Sequence, residues 1–159
     1  MVKCYHKSYK MKQKGKKVHN DQEIIDEEVT FDELGVLNRS IVSRTDLKGT
    51  ITFANKAFCT LSGYAKNELL SQPHSIVRHP DMPKQAFKEM WQTIQSNQKW
   101  HGFVKNLRKD GKYYWTEAFI EPFFDEDGVK IGYIAARKPV GPKDKEEFEK
   151  KYKQLKEKE

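Results

Sequence analysis

The chain predicts an α+β domain built from one antiparallel sheet with helices packed on one face. Three observations carry that expectation. Two short runs rich in β-branched residues open the compact region and are joined by Asp46-Leu47-Lys48-Gly49. A helical middle follows, between Asn55 and Ile94. Three longer strand-like runs close it, separated by Lys109-Asp110-Gly111-Lys112 and Asp125-Glu126-Asp127-Gly128. Asp-Gly pairs between apolar runs are strong hairpin signals.

The elements follow in order. Residues 38–45 and 50–54 read as a hairpin with a glycine-containing loop. Asn55 sits where a helix N-cap belongs, because its side chain can accept from an orphan N–H of the first turn. Ala57, Phe58 and Leu61 then recur at helical spacing, and Gly63 ends that helix. Residues 66–70 allow one more short turn. Asp81 is the candidate N-cap of the clearest helix, with Pro83 tolerated in its first turn. Ala86, Phe87, Met90, Trp91 and Ile94 form one apolar face there. Residues 100–108, 113–124 and 129–138 are the three strands of a meander. Pro139 and Pro142 end the sheet. In residues 143–159, Phe148, Tyr152 and Leu155 mark an amphipathic helix that docks on something, since alone it would be marginal.

Length and composition fit one domain with tails: 159 residues, with 12% aromatics for a core. The division expected is a charged tail or loosely docked cap at 1–34, a compact domain at 35–141, and a charged helix at 142–159. Residues 1–20 carry seven Lys and no acid, and residues 21–34 carry seven acids and no base. These blocks cancel, so the net charge of +7 belongs to the rest. The basic block reads as a solvated tail, with attraction to an acidic partner or anionic membrane as the second reading. The bases of the domain are dispersed, so no nucleic-acid partner is expected. No window approaches the roughly 18 apolar residues of a membrane span. The N-terminus lacks the apolar core of a signal peptide, and a cytoplasmic location is expected. Cys4 and Cys59 are far apart, which supports neither a disulfide framework nor a zinc site. Cys59 reads as a buried thiol.

The densest chemistry lies in residues 74–83. His74, Arg78, His79 and Asp81 occur there with two prolines, among Ile76, Val77 and Met82. Such groups bind anions, donate hydrogen bonds or titrate. Arg78 offers a planar fork for a phosphate or adenine, or else a surface ion pair. His79 precedes Pro80, which biases it to extended backbone. No nucleophile–base pair, glycine-rich phosphate loop or metal triad can be read, so an enzyme is not expected.

With these elements in place, Asn55 to Tyr64 and Arg108 to Trp115 give the stretch 35–141 the order of a PAS domain, which it resembles. More narrowly, Gln72 to Pro83 and Val104 to Gly111 are similar to the PAS domains of the aerotaxis-receptor and energy-taxis group. The resemblance implies a PAS fold with a five-stranded antiparallel sheet and helices on one face. It implies non-covalent FAD, whose redox state is reported to a chemoreceptor-like membrane signalling protein or its HAMP or signalling domain. It places His74, Arg78, His79 and Asp81 on the lid and rim of the flavin cleft. Trp91 falls beside the ring, Asn106 at the pyrimidine edge, and Asn55 at the opening of the first helix. No cysteine lies between Cys59 and Glu159, so the covalent photochemistry of related flavin photosensors is not expected.

The residue types suit such a ring. An amide both donates and accepts, as the carbonyl–imide–carbonyl edge requires. Strand alternation puts Gly102, Val104 and Asn106 on one face, with Thr116, Ala118 and Ile120 on the next strand. These small side chains leave room for a flat group. Asn106 alternatively bonds the following turn, and Trp91 alternatively serves the core. The opposite phase, Trp115, Glu117, Phe119 and Glu121, faces solvent or a partner. Two other readings stand: a haem sensor using His74, His79 or His101, and a cofactor-free dimerisation or interaction module. Homodimerisation is open.

Overall fold

A computed structural model describes residues 22–159, and its backbone hydrogen bonds run through a five-stranded antiparallel sheet. The strands are β1 (Ile41–Asp46), β2 (Ile51–Ala54), β3 (Trp100–Leu107), β4 (Tyr113–Phe124) and β5 (Lys130–Lys138). Their order across the sheet is β2-β1-β5-β4-β3. The front hairpin and the rear meander are therefore one sheet, zipped together where Ile41 to Asp46 pair with Arg137 to Gly132. The expected α+β class, five strands and antiparallel pairing all hold. The hairpin turns close as their Asp residues dictate. Asp46 Oδ1 accepts from Lys48 and Thr50 N–H at 2.9 Å, and Asp125 Oδ1 from Asp127 and Val129 at the same distance.

Between β2 and β3 run α1 (Lys56–Ser62), α2 (Lys66–Leu69), a 3₁₀ turn at His74–Val77, and α3 (Lys84–Gln95). Asn55 caps α1 and does more. Its Oδ1 accepts from Phe58 N–H at 3.0 Å and Val42 N–H at 3.2 Å, while its Nδ2 donates to Ser40 O at 2.6 Å. One side chain thus clips helix to strand. Asn55→Ala is expected to cost about 1–2 kcal/mol in a denaturant titration. Phe58, Leu61, Leu69, Ile76, Val77, Ile41, Ile51 and Tyr114 fuse into the core beneath α1 and α2. Arg108 reaches under the far end of α1, where Nη1 donates to Thr60 O at 3.1 Å and also to Leu61 O. It serves carbonyls that the helix leaves without partners.

α3 departs from expectation at its start. The helix begins at Lys84 after Pro83, whose backbone is extended, and Asp81 is not its cap. The N–H of Asp81 instead meets His79 Nδ1 at 3.0 Å, and its carboxylate takes Lys105 Nζ at 2.9 Å. A strand lysine within reach outcompetes the helix end for that carboxylate.

α4 (Pro142–Glu157) is the charged helix expected to dock, and it follows the domain whose own helices share one face. It opens with proline at its first position, where no N–H is needed. It lies on the opposite side of the sheet from α1–α3. Tyr152 Oη donates to Phe103 O at 2.6 Å and stacks on Trp115, and Phe148 meets Phe103 at 4.5 Å between ring centres. Trp115, expected to face solvent or a partner, is covered by the chain's own helix.

The segment from 22 to 36 packs closely. Ile24, Val29, Phe31 and Val36 are buried, and Phe31 and Val36 join the main core. Its backbone bonds the turn before β4 and the first residue of that strand: Ile25 N–H to Gly111 O and Val29 N–H to Tyr113 O, both at 2.8 Å. Two of its acids have found bases on the body: Glu27 pairs with Lys112 at 3.1 Å, and Glu28 with Lys145 of α4. Cys4 and the basic block lie outside the described residues. No described helix is long and apolar enough to cross a membrane.

Candidate functional site

α3 does not sit flat on the sheet. Phe87, Met90, Trp91 and Ile94, most of its expected apolar face, line a cleft of about 350 Å³ between the helix and β1, β3, β4 and β5. That volume falls within the range of ligand pockets, about 300–1,000 Å³. The floor is the small-residue face that strand alternation predicts: Val104 and Asn106 from β3, Thr116, Ala118 and Ile120 from β4. Ser43 and Thr45 of β1 and Tyr133, Ala135 and Arg137 of β5 complete it. Gly102 is not among the lining residues.

Residues 74–83 start at the first hairpin turn, where His74 N–H bonds Gly49 O at 2.9 Å, and meet β3, an edge strand, where Arg78 and Asn106 form a single antiparallel bridge. Extended backbone sends successive side chains to opposite sides. Arg78 has that conformation, at φ −73° and ψ 123°, and its side chain lines the cleft. His79 turns away. It is buried edge-on to Tyr113 with ring centres 5.9 Å apart, on the α4 side of the sheet, and Asp81 follows it there to Lys105. The segment is thus split by its own geometry. His74, Arg78, Trp91, Asn106 and Thr116 come together in the cleft. Asn55, His79 and Asp81 lie outside it. Cys59 is half-buried on α1, also outside, with burial pushing its thiol pKa up.

The electrostatics of the cleft are one-sided. Lys48, Arg78 and Arg137 line it, and no carboxylate does among the described residues. The Arg78 guanidinium lies 3.7 Å over the Phe87 ring, and its buried Nε has no hydrogen-bond partner. Burial lowers its pKa. Arg137 Nη2 donates to Ser43 Oγ and to His74 Nε2, both at 2.9 Å. An accepting Nε2 makes His74 the neutral tautomer with its proton on Nδ1. Burial, then the Arg137 charge, hold its pKa down at about 3. Arg137 and Ser43 carry no signal in the sequence, because a lone arginine near the end of a strand looks like a surface residue. Its position one strand from Ser43 is what reveals it.

His79 is also held neutral, at about 4, by burial and then by Lys105, against the pull of Asp81. Burial raises the Asp81 carboxyl, but the hydrogen bond and charge of Lys105 outweigh it and leave the net shift downward. Two histidines with depressed pKa values bind protons more readily when unfolded. Stability is therefore whole above about pH 6.5 and is lost as the pH falls towards 4. Thermal unfolding between pH 7 and 4.5 should show that decline, and His79→Gln should flatten it.

The five-stranded order and the helix-covered cleft match a known family. The family model of the PAS fold matches residues 51–137, more than half of the chain. The chain belongs to the PAS fold family. This PAS domain is 47% identical over 98 residues to the aerotaxis receptor of Escherichia coli K12, a match covering 62% of the chain and 19% of the receptor. It is 33% identical over 99 residues to the nitrogen fixation regulatory protein of Klebsiella pneumoniae, covering 62% of the chain and 20% of that protein. The matched stretches span about a fifth of these curated relatives. Among solved structures, a light-oxygen-voltage domain aligns with a TM-score of 0.60 at 23% identity, over 72% of the chain and 86% of that domain. The dark structure of the Aureochrome1 blue-light photoreceptor domain aligns with a TM-score of 0.61 at 19% identity, over 80% and 91%. These two share the PAS fold.

Proposed function

We propose that this PAS domain binds FAD non-covalently and works as a redox or energy sensor for aerotaxis-type signalling. It passes flavin redox state to a chemoreceptor-type membrane protein. The observation that carries the reading is the cleft itself, walled by Phe87, Met90 and Trp91, with cations and no acids among the described residues. An orphaned, buried guanidinium nitrogen of Arg78 waits there for an acceptor. Buried polar groups are almost always paired, so an unpaired one in a cleft points to a ligand with anionic or carbonyl oxygens. The residues fit FAD. Asn106 supplies an amide for the carbonyl–imide edge, Arg78 a fork for carbonyl or phosphate oxygens, and Trp91 an apolar wall. Thr116 and Ala118 keep the floor low. When bound, the flavin supplies reversible electron uptake. The aerotaxis receptor similarity and the flavin-analogue light-oxygen-voltage domain support the same choice.

Haem is less well served. Of the three candidate histidines, His74 alone reaches the cleft, and its Nε2 is engaged by Arg137. His101 is bonded to Glu117 at 2.8 Å on the outer face. Absorption spectra before and after dithionite decide the matter. A yellow protein that bleaches on reduction is expected. A colourless protein that also fails to take up added FAD overturns the reading.

A further inference from the structure

Arg137 is buried at the floor of the cleft, and every group that touches it is neutral. Ser43 and His74 hold Nη2, Ala135 O accepts from Nη1 at 3.4 Å, and the Phe58 ring lies 4.5 Å beneath the guanidinium. No carboxylate pairs with it among the described residues. A buried cation without a counter-ion is costly. Four contacts that orient the charge without neutralising it leave the compensating anion to the ligand.

Building on the flavin reading, we propose that Arg137, oriented by Ser43 and His74, is the counter-ion for the negative charge the bound flavin ring acquires on reduction. The ring then takes two electrons from a reductant such as dithionite and one proton from solvent, on N5. In water at low pH it would take two electrons and two protons. A fixed charge in a cleft of low dielectric favours the anionic product far more than the same charge would in water.

The surroundings allow a clean reading of that proton count. The titratable and charged groups that share the cleft with Arg137 are His74 from the 3₁₀ turn, Arg78 just beyond it, Lys48 from the first hairpin turn and Tyr133 from the sheet, and Tyr114 of β4 is close enough to feel its charge. His74 sits at about 3 and Tyr114 at about 12. Arg137 itself, lowered by burial to about 10, stays charged. None of these three changes its proton count between pH 6 and 8, so they add nothing to the proton uptake measured there.

The test is the midpoint potential of the flavin-loaded protein across pH 6–8, followed by spectroelectrochemistry. One proton per two electrons gives a slope of about 30 mV per pH unit, because a tenfold change in a two-electron equilibrium is 29.6 mV. Arg137→Met should lose at least tenfold in its preference for the reduced form at pH 8, a fall of about 30 mV. Its slope should steepen towards the two-proton value of about 60 mV per pH unit. Arg137→Lys keeps the charge and should keep the shallow slope. A wild-type slope of about 60 mV overturns the proposal without any variant. So does Arg137→Met protein that holds flavin with the wild-type potential and slope. Wild-type protein that takes up no flavin overturns the flavin reading and this one together.

Discussion

Arg78→Ala is expected to strip flavin from the domain without weakening the fold. The guanidinium makes no hydrogen bond or ion pair with the described residues and touches chiefly the Phe87 ring. Removing it forfeits a cation–π contact of about 1 kcal/mol, and removes a partly buried charge that lacks a counter-ion. These effects oppose each other, so the melting temperature of the apo protein should be unchanged or raised. A charge-assisted hydrogen bond to a ligand oxygen is worth about 1.5–3 kcal/mol. Its loss should weaken FAD binding by about 10- to 150-fold. Titration of apo protein with FAD, alongside thermal unfolding, reads both quantities. Wild-type affinity in Arg78→Ala would show that the ligand sits elsewhere. Asn106→Ala should also lower occupancy. That residue is almost fully buried, and its backbone is pinned by the bridge to Arg78, so the variant tests the amide and not the strand.

Gly132→Ala should prevent folding. A Cβ at this position would lie 1.8 Å from the carbonyl oxygen of Thr45 and 2.9 Å from its carbon. Both belong to backbone, in the pairing of β1 with β5, so no rotamer change relieves the clash. Overpacking that side chains can absorb costs about 1–3 kcal/mol. A clash that forces neighbouring central strands apart costs more and consumes much of a typical total stability of about 5–15 kcal/mol. The expected result is insoluble protein, or loss of the cooperative unfolding transition. Gly128→Ala is the control. It sits at φ +79° in the last hairpin turn with nothing within 4 Å of a new Cβ, so it should cost about 1 kcal/mol. If Gly132→Ala unfolds at the same denaturant concentration as Gly128→Ala, the central strands tolerate far more separation than their geometry implies.

Much of the site is readable where a local rule applies. Period-two alternation puts Asn106, Thr116 and Ala118 on the cleft face, and helical spacing puts Phe87, Met90, Trp91 and Ile94 opposite them. Asn55 is legible as a cap. Its clip onto β1 and its distance from the cleft depend on Ser40 and Val42, which only folding brings near. The segment at 74–83 shows the same boundary. Its composition marks it as chemically dense, but whether each side chain enters the cleft turns on the backbone around Arg78. That backbone sends Arg78 inward and His79 outward. Asp81 has the sequence position of a helix cap and becomes a lysine partner, because Lys105 on the neighbouring strand competes for the same carboxylate.

The residues by themselves determined the strands, the turns and the faces, since these follow from side-chain periodicity, Asp–Gly chemistry and capping within a few positions of one another. Only the tertiary structure decided that β1 lies beside β5, across some ninety residues of chain. That pairing has no local signature. It forms because two half-sheets bury their apolar faces better together than apart. Its product is the cleft floor, where Ser43, His74 and Arg137 from three separate elements hold one uncompensated positive charge.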